Sequence, residues 1–90
     1  MGSIPVGATK YCRMYVYALV SSIDGRIYVG MAEDVNVRLK QHNYGMSRST
    51  RPYRPWKILY HELCQNREAA RKRELQLKSG YGKEFLKTLL

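Results

Sequence analysis

Acidic residues are scarce in this sequence: seven aspartates and glutamates stand against sixteen lysines and arginines, leaving 90 residues with a formal charge of +9. An imbalance of that size exceeds what solubility requires and favours a polyanionic partner. Long hydrophobic runs are lacking, which excludes a membrane-spanning helix and places nucleic acid ahead of a membrane as that partner. Cysteine is confined to Cys12 and Cys64. With no secretory signal in front of them, the two read as free, buried thiols of a cytoplasmic protein rather than as a disulfide. Neither belongs to a Cys-x-x-Cys or Cys/His cluster, which argues against a structural zinc site. Internal repeats and low-complexity segments are also absent.

What is present suits one small domain. Ninety residues have room for a single core, and an apolar content of 44% argues against wholesale disorder. Residues 1–10, rich in small side chains, read as a flexible leader, and residues 11–90 as the domain. Strands are expected over about Arg13–Val20 and Arg26–Gly30, where β-branched and aromatic residues dominate, joined by a hairpin at Asp24-Gly25, both of which tolerate positive φ. Alternation puts Tyr15 and Tyr17 on one face of the first strand and Val16 and Ala18 on the other. Gly30 leaves room for something to approach the backbone closely. A third strand is expected at Trp56–His61, after Pro55.

Between the second and third strands, Glu33-Asp34 open a helix and place negative charge in its first turn, where the macrodipole favours it. Ala32, Val35 and Leu39 form its apolar stripe, Arg38 and His42 lie four apart on a neighbouring line, and Asn43-Tyr44-Gly45 ends it. Residues 46–55 read as irregular, because Pro52 and Pro55 forbid a regular helix and Ser47, Ser49 and Thr50 offer local turn bonds. No acidic residue lies between Asp34 and Glu62, while that stretch holds Arg38, Lys40, Arg48, Arg51, Arg54 and Lys57. Arg48, Arg51, Arg54 and Lys57 are therefore the candidate phosphate contacts. Asn66 caps a long helix through Lys78 whose inward line is Ala70, Glu74, Leu77 and Tyr81, and a short helix over residues 83–90 turns Phe85, Leu86 and Leu89 to the core. The element order predicts an α+β domain, a three-stranded antiparallel sheet flanked by helices.

Tyr15-Val16-Tyr17 and Tyr28-Val29-Gly30, with ten residues between them, resemble the paired tripeptides of the GIY-YIG nuclease superfamily. The likeness is to its small stand-alone members, similar to the N-terminal nuclease domain of the bacterial excision-repair incision subunit. It continues through Arg38, His42-Asn43, Arg54-Pro55-Trp56 and Glu74, spanning roughly Cys12 to Leu86. Tyr15 stands where the family name has glycine, and the asparagine found late in several members has no clear counterpart. The resemblance implies the same sheet-and-helix fold and a metal-dependent endonuclease, with DNA repair as its setting. Tyr17, Tyr28, Arg38, His42 and Glu74 are then the expected catalytic set, and nucleic acid, DNA foremost, the partner. A motif tyrosine serves as general base, and Arg38 neutralises the scissile phosphate with its planar fork. Glu74 holds one Mg²⁺ or Mn²⁺, an ion for which one or two carboxylates suffice. The competing readings are a nucleic-acid-binding module of the same fold that does not cleave, and a module for acidic proteins, in which the ordered Tyr, Arg and Glu set is accidental.

Overall fold

A computed structural model describes residues 13–90; the expected leader and Cys12 lie outside the described residues. Three strands, β1 (Met14–Ser21), β2 (Ile27–Ala32) and β3 (Trp56–Cys64), form an antiparallel sheet in the order β2-β1-β3. Three helices accompany it: α1 (Val35–Asn43), α2 (Arg67–Lys78) and α3 (Gly80–Lys87). The α+β architecture expected from the element order is the one observed.

β1 is central because it is the most apolar strand, and the sheet is covered on both sides. Alternation along it sorts side chains as expected. Met14, Val16 and Ala18 pack with Val29, Ala70, Leu77 and Leu86 on the α2–α3 side. Tyr17 and Leu19 pack with Val35 and Trp56, Tyr15 and Tyr28 beside them, on the α1 side. The hairpin turns at Gly25, whose φ is +76°, and the Asp24 carboxylate accepts from the Arg26 backbone at 3.1 Å. β3 runs three residues past the expected His61, pairing Met14 with Cys64. Cys64 is a buried free thiol.

Several helical expectations need correction. Ala32 belongs to β2, not to the α1 stripe, and α1 has no acidic residue in its first turn. Asp34 acts instead as N-cap, accepting from the Val37 N–H at 3.1 Å. Asn66 caps α2 as expected, through the Ala69 N–H at 2.8 Å. Tyr81, assigned to the inward line of α2, is 85% exposed. The cause is Ser79, whose extended backbone ends α2 and whose hydroxyl accepts from the Gly82 N–H to start α3. The period of α2 does not carry across that break. α3 runs earlier than expected and ends before Leu89, and of the three residues expected at the core only Leu86 is buried; Phe85 and Leu89 are exposed. Gly82 lets α3 lie against α2, since a Cβ there would sit 2.4 Å from Leu77 Cα.

Candidate active site

The site grows from the Tyr17–Gly30 pair of the β1–β2 ladder. With no side chain at Gly30, the Tyr17 ring leans across the neighbouring strand: a Cβ at position 30 would lie 2.7 Å from Tyr17 Oη and 3.2 Å from the Tyr28 ring. The close approach left open by Gly30 is therefore made by a phenol of the same sheet. Gly30→Ala is expected to push the Tyr17 hydroxyl off its position and to cost about 1–3 kcal/mol through overpacking. A thermal melt that matches the parent would show that the ring can move freely.

Tyr17 is buried, and its hydroxyl lies 3.1 Å from Nε2 of His42, itself 1% exposed. Tyr28 meets the His42 ring edge-on with centroids 5.0 Å apart and lies tilted against the Tyr17 ring at 6.3 Å. Burial pushes the Tyr17 hydroxyl up to about 12, against the pull of the nearby Arg38 guanidinium and with a smaller push from the Glu74 charge. Burial also lowers the pKa of His42, helped by the Arg38 charge. Arg38 is exposed and donates from Nη1 to Gln41 Oε1 at 2.8 Å. Tyr15 shares that face but turns toward β3, its ring 6.0 Å from His61.

Glu74, on α2, is only 6% exposed. Arg71 donates to its Oε1 at 3.2 Å and Lys78 to its Oε2 at 3.1 Å, and both cations reach solvent. No cluster of three or more metal-ligating side chains occurs among the described residues. A single inward carboxylate whose cationic neighbours can swing into water suits a largely hydrated, hard divalent ion, and does not suit zinc or a calcium cage.

The basic loop divides in two. Arg51 donates from Nε to the Gly45 carbonyl and Arg54 from Nε to the Arg51 carbonyl, each at 2.8 Å, so both brace the loop. Arg48 and Lys57 are exposed. None of these four contributes a direct contact to the Tyr17–His42 pair.

Three residues outside the expected catalytic set also shape the site, Asn43 and Trp56 from the stretches that carry the resemblance and Thr50 from the loop read as irregular. Thr50, 1% exposed, places Oγ1 2.8 Å from His42 Nδ1. Trp56 donates from Nε1 to the Thr50 carbonyl at 2.9 Å. Asn43 ties the end of α1 to β3 by accepting from the Trp56 N–H at 2.7 Å and donating to the Trp56 carbonyl at 3.1 Å. Nothing in a Ser-Arg-Ser-Thr loop distinguishes the threonine that turns inward from its neighbours.

The GIY-YIG catalytic domain profile matches residues 13–87. The chain belongs to the GIY-YIG family. Family membership carries nuclease activity and a nucleic-acid substrate at the level of the family, whose members generally use a divalent metal. Similar proteins include the UPF0213 proteins of Staphylococcus aureus strains Mu3, Mu50 and N315. Each is 38% identical over 66 residues, covering 72% of this chain and 79% of the relative. No solved structure matches the chain significantly. No helix among the described residues is long and apolar enough to cross a membrane.

The neutral, buried imidazole has a consequence for stability. The ordinary value for histidine is 6.5, and in the folded chain His42 lies below it. The unfolded chain therefore takes up a proton first as the pH falls. Stability from this group is complete above pH 6.5 and is lost as the pH drops from there toward the folded-state value. Melting temperatures taken from pH 8 to pH 5 should fall across the lower part of that range, and His42→Asn should flatten the dependence.

Proposed function

We propose that this protein is a metal-dependent endonuclease that hydrolyses DNA phosphodiester bonds. The observation that carries the reading is the buried contact between Tyr17 Oη and His42 Nε2 at 3.1 Å. A phenol held near 12 is a poor base alone, but a phenol that can hand its proton to a neutral imidazole is not so limited. As water attacks phosphorus, Tyr17 Oη takes a proton from the water and passes its own to His42 Nε2. The bond to the leaving oxygen breaks, and bulk water supplies the proton that oxygen needs. Arg38 neutralises charge on the phosphoryl oxygens as it develops. Tyr28, edge-on to His42, orients the attacking water. Glu74 would hold one divalent ion, magnesium or manganese, which when bound supplies positive charge to the phosphate and the leaving oxygen.

Arg48 and Lys57, with the remaining donors of Arg51 and Arg54, serve as sequence-independent phosphate contacts. Affinity for DNA should fall steeply with salt, each neutralised duplex phosphate adding about 0.9 to the log–log slope. Arg48→Ala with Lys57→Ala should reduce that slope for many sequences alike; affinity that barely changes with salt would remove these contacts.

The deciding experiment incubates the protein with supercoiled, linear, single-stranded and branched DNA, each with magnesium, manganese or chelator. Cleavage in the metal lanes alone is the expected result. Salt-sensitive binding with no cleavage in any lane would make the protein a nucleic-acid-binding module of the same fold.

A further inference from the structure

We propose that Thr50 is a positioning residue for this reaction: its hydroxyl holds His42 in the tautomer protonated on Nδ1, which leaves Nε2 open to the Tyr17 proton. The inference rests on the assignment of Tyr17 and His42 above and adds a residue to it.

Donors and acceptors around the ring fix its tautomer. A buried neutral phenol must donate its proton, and the described side-chain acceptor in reach of Tyr17 is His42 Nε2, at 3.1 Å. A neutral imidazole carries one N–H, so a ring that accepts at Nε2 donates from Nδ1. The partner of Nδ1 is Thr50 Oγ1 at 2.8 Å, and the threonine's own proton is directed to the Ser47 carbonyl at 3.4 Å. The donors thus run in one direction, Tyr17 to His42 to Thr50 to Ser47. Reversing them would point an Nε2–H at the phenol oxygen and leave the phenolic proton buried without an acceptor.

Thr50 is suited to this task because the loop leaves it little freedom. Its carbonyl accepts from the Trp56 indole at 2.9 Å and from the Tyr53 N–H at 3.1 Å, while its own N–H donates to the Ser47 carbonyl at 3.3 Å. His42 and Thr50 are each 1% exposed, so in the free protein water does not compete for the ring nitrogens. The Trp56 indole, part of the core beside Tyr17, is thereby connected to the protonation state of the imidazole.

The test uses nitrogen-15 NMR of the imidazoles in the full chain, with His61→Gln used to assign the two histidines. The parent should show His42 Nδ1 protonated and Nε2 unprotonated. Thr50→Ser should keep that signature, and Thr50→Val, which preserves shape but removes the hydroxyl, should shift it toward the other tautomer. In the cleavage assay Thr50→Val should lower kcat on the order of 10- to 100-fold with KM nearly unchanged, and Thr50→Ser should restore most of the loss. An Nε2-protonated ring in the parent, or a Thr50→Val protein with the parental spectrum or the parental kcat, overturns the proposal. If Thr50→Val does not fold, the parent and Thr50→Ser spectra decide it, an Nε2-protonated ring in either being sufficient to reject it. A parent that never cleaves DNA overturns the endonuclease reading and with it the catalytic part of this one, while the spectra still decide whether Thr50 holds the ring.

Discussion

Glu74→Gln is expected to reduce metal-dependent cleavage by about 10³-fold or more, because a metal's stabilisation of transition-state charge is worth several kcal/mol and each 1.4 kcal/mol is about tenfold in rate. The effect on folding should be small. Arg71 and Lys78, the two cations that engage this carboxylate, have side chains 64% and 49% exposed. When the charge is removed they return to water, at a cost within about 1 kcal/mol. Had the partner been a buried arginine, the loss would have been about 3–5 kcal/mol. Nucleic-acid affinity should stay level or rise, since a negative charge near the phosphate is gone. Thermal melting, binding and cleavage measured side by side separate these effects. A folded Glu74→Gln protein that still cuts DNA with magnesium would take Glu74 out of the site, and a melting point lowered by tens of degrees would make its role structural.

Tyr17→Phe is expected to lower turnover by about 10²–10⁴-fold while leaving the ring packed, general acid–base catalysis being worth that much. The variant removes the hydroxyl 3.1 Å from His42 Nε2 and nothing else. His42→Asn should fall in the same range, and the double variant should lose little more than either single one, because the two groups act on one proton. Additive losses would show that Tyr17 and His42 work separately. In the parent, the acid limb of the rate should lie below pH 6.5, the ordinary histidine value, because the His42 pKa is depressed by burial. His42 is then neutral and able to accept at pH 7, and activity is lost only as the ring protonates. An acid limb above 6.5 would point to another group.

Which parts of this protein were legible in advance follows from the range of the interactions concerned. The Asp24-Gly25 turn, the three strands and the Asn66 cap depend on residues within a few positions of one another, and each occurs close to where the sequence places it. Tyr81 was misplaced because helical periodicity was carried across Ser79, where one extended residue resets the face that α3 presents. Arg51 and Arg54 read as free phosphate contacts from charge alone, whereas their Nε groups donate to loop carbonyls. A charge count cannot register a carbonyl in need of a donor.

The sequence by itself determined the sheet, the sorting of β1 side chains to two faces, the excess of positive charge and the ordered set of tyrosines, arginine, histidine and glutamate that marks the family. Each is a local pattern or a composition, and alternation along a strand needs no knowledge of what lies opposite. Only the tertiary structure decided that Tyr17 crosses Gly30 to touch His42 and that Thr50 from a loop eight residues further on takes the other ring nitrogen. Those contacts join residues from different elements. Their chemistry depends on burial and on which donor meets which acceptor, and both are properties of the packed chain.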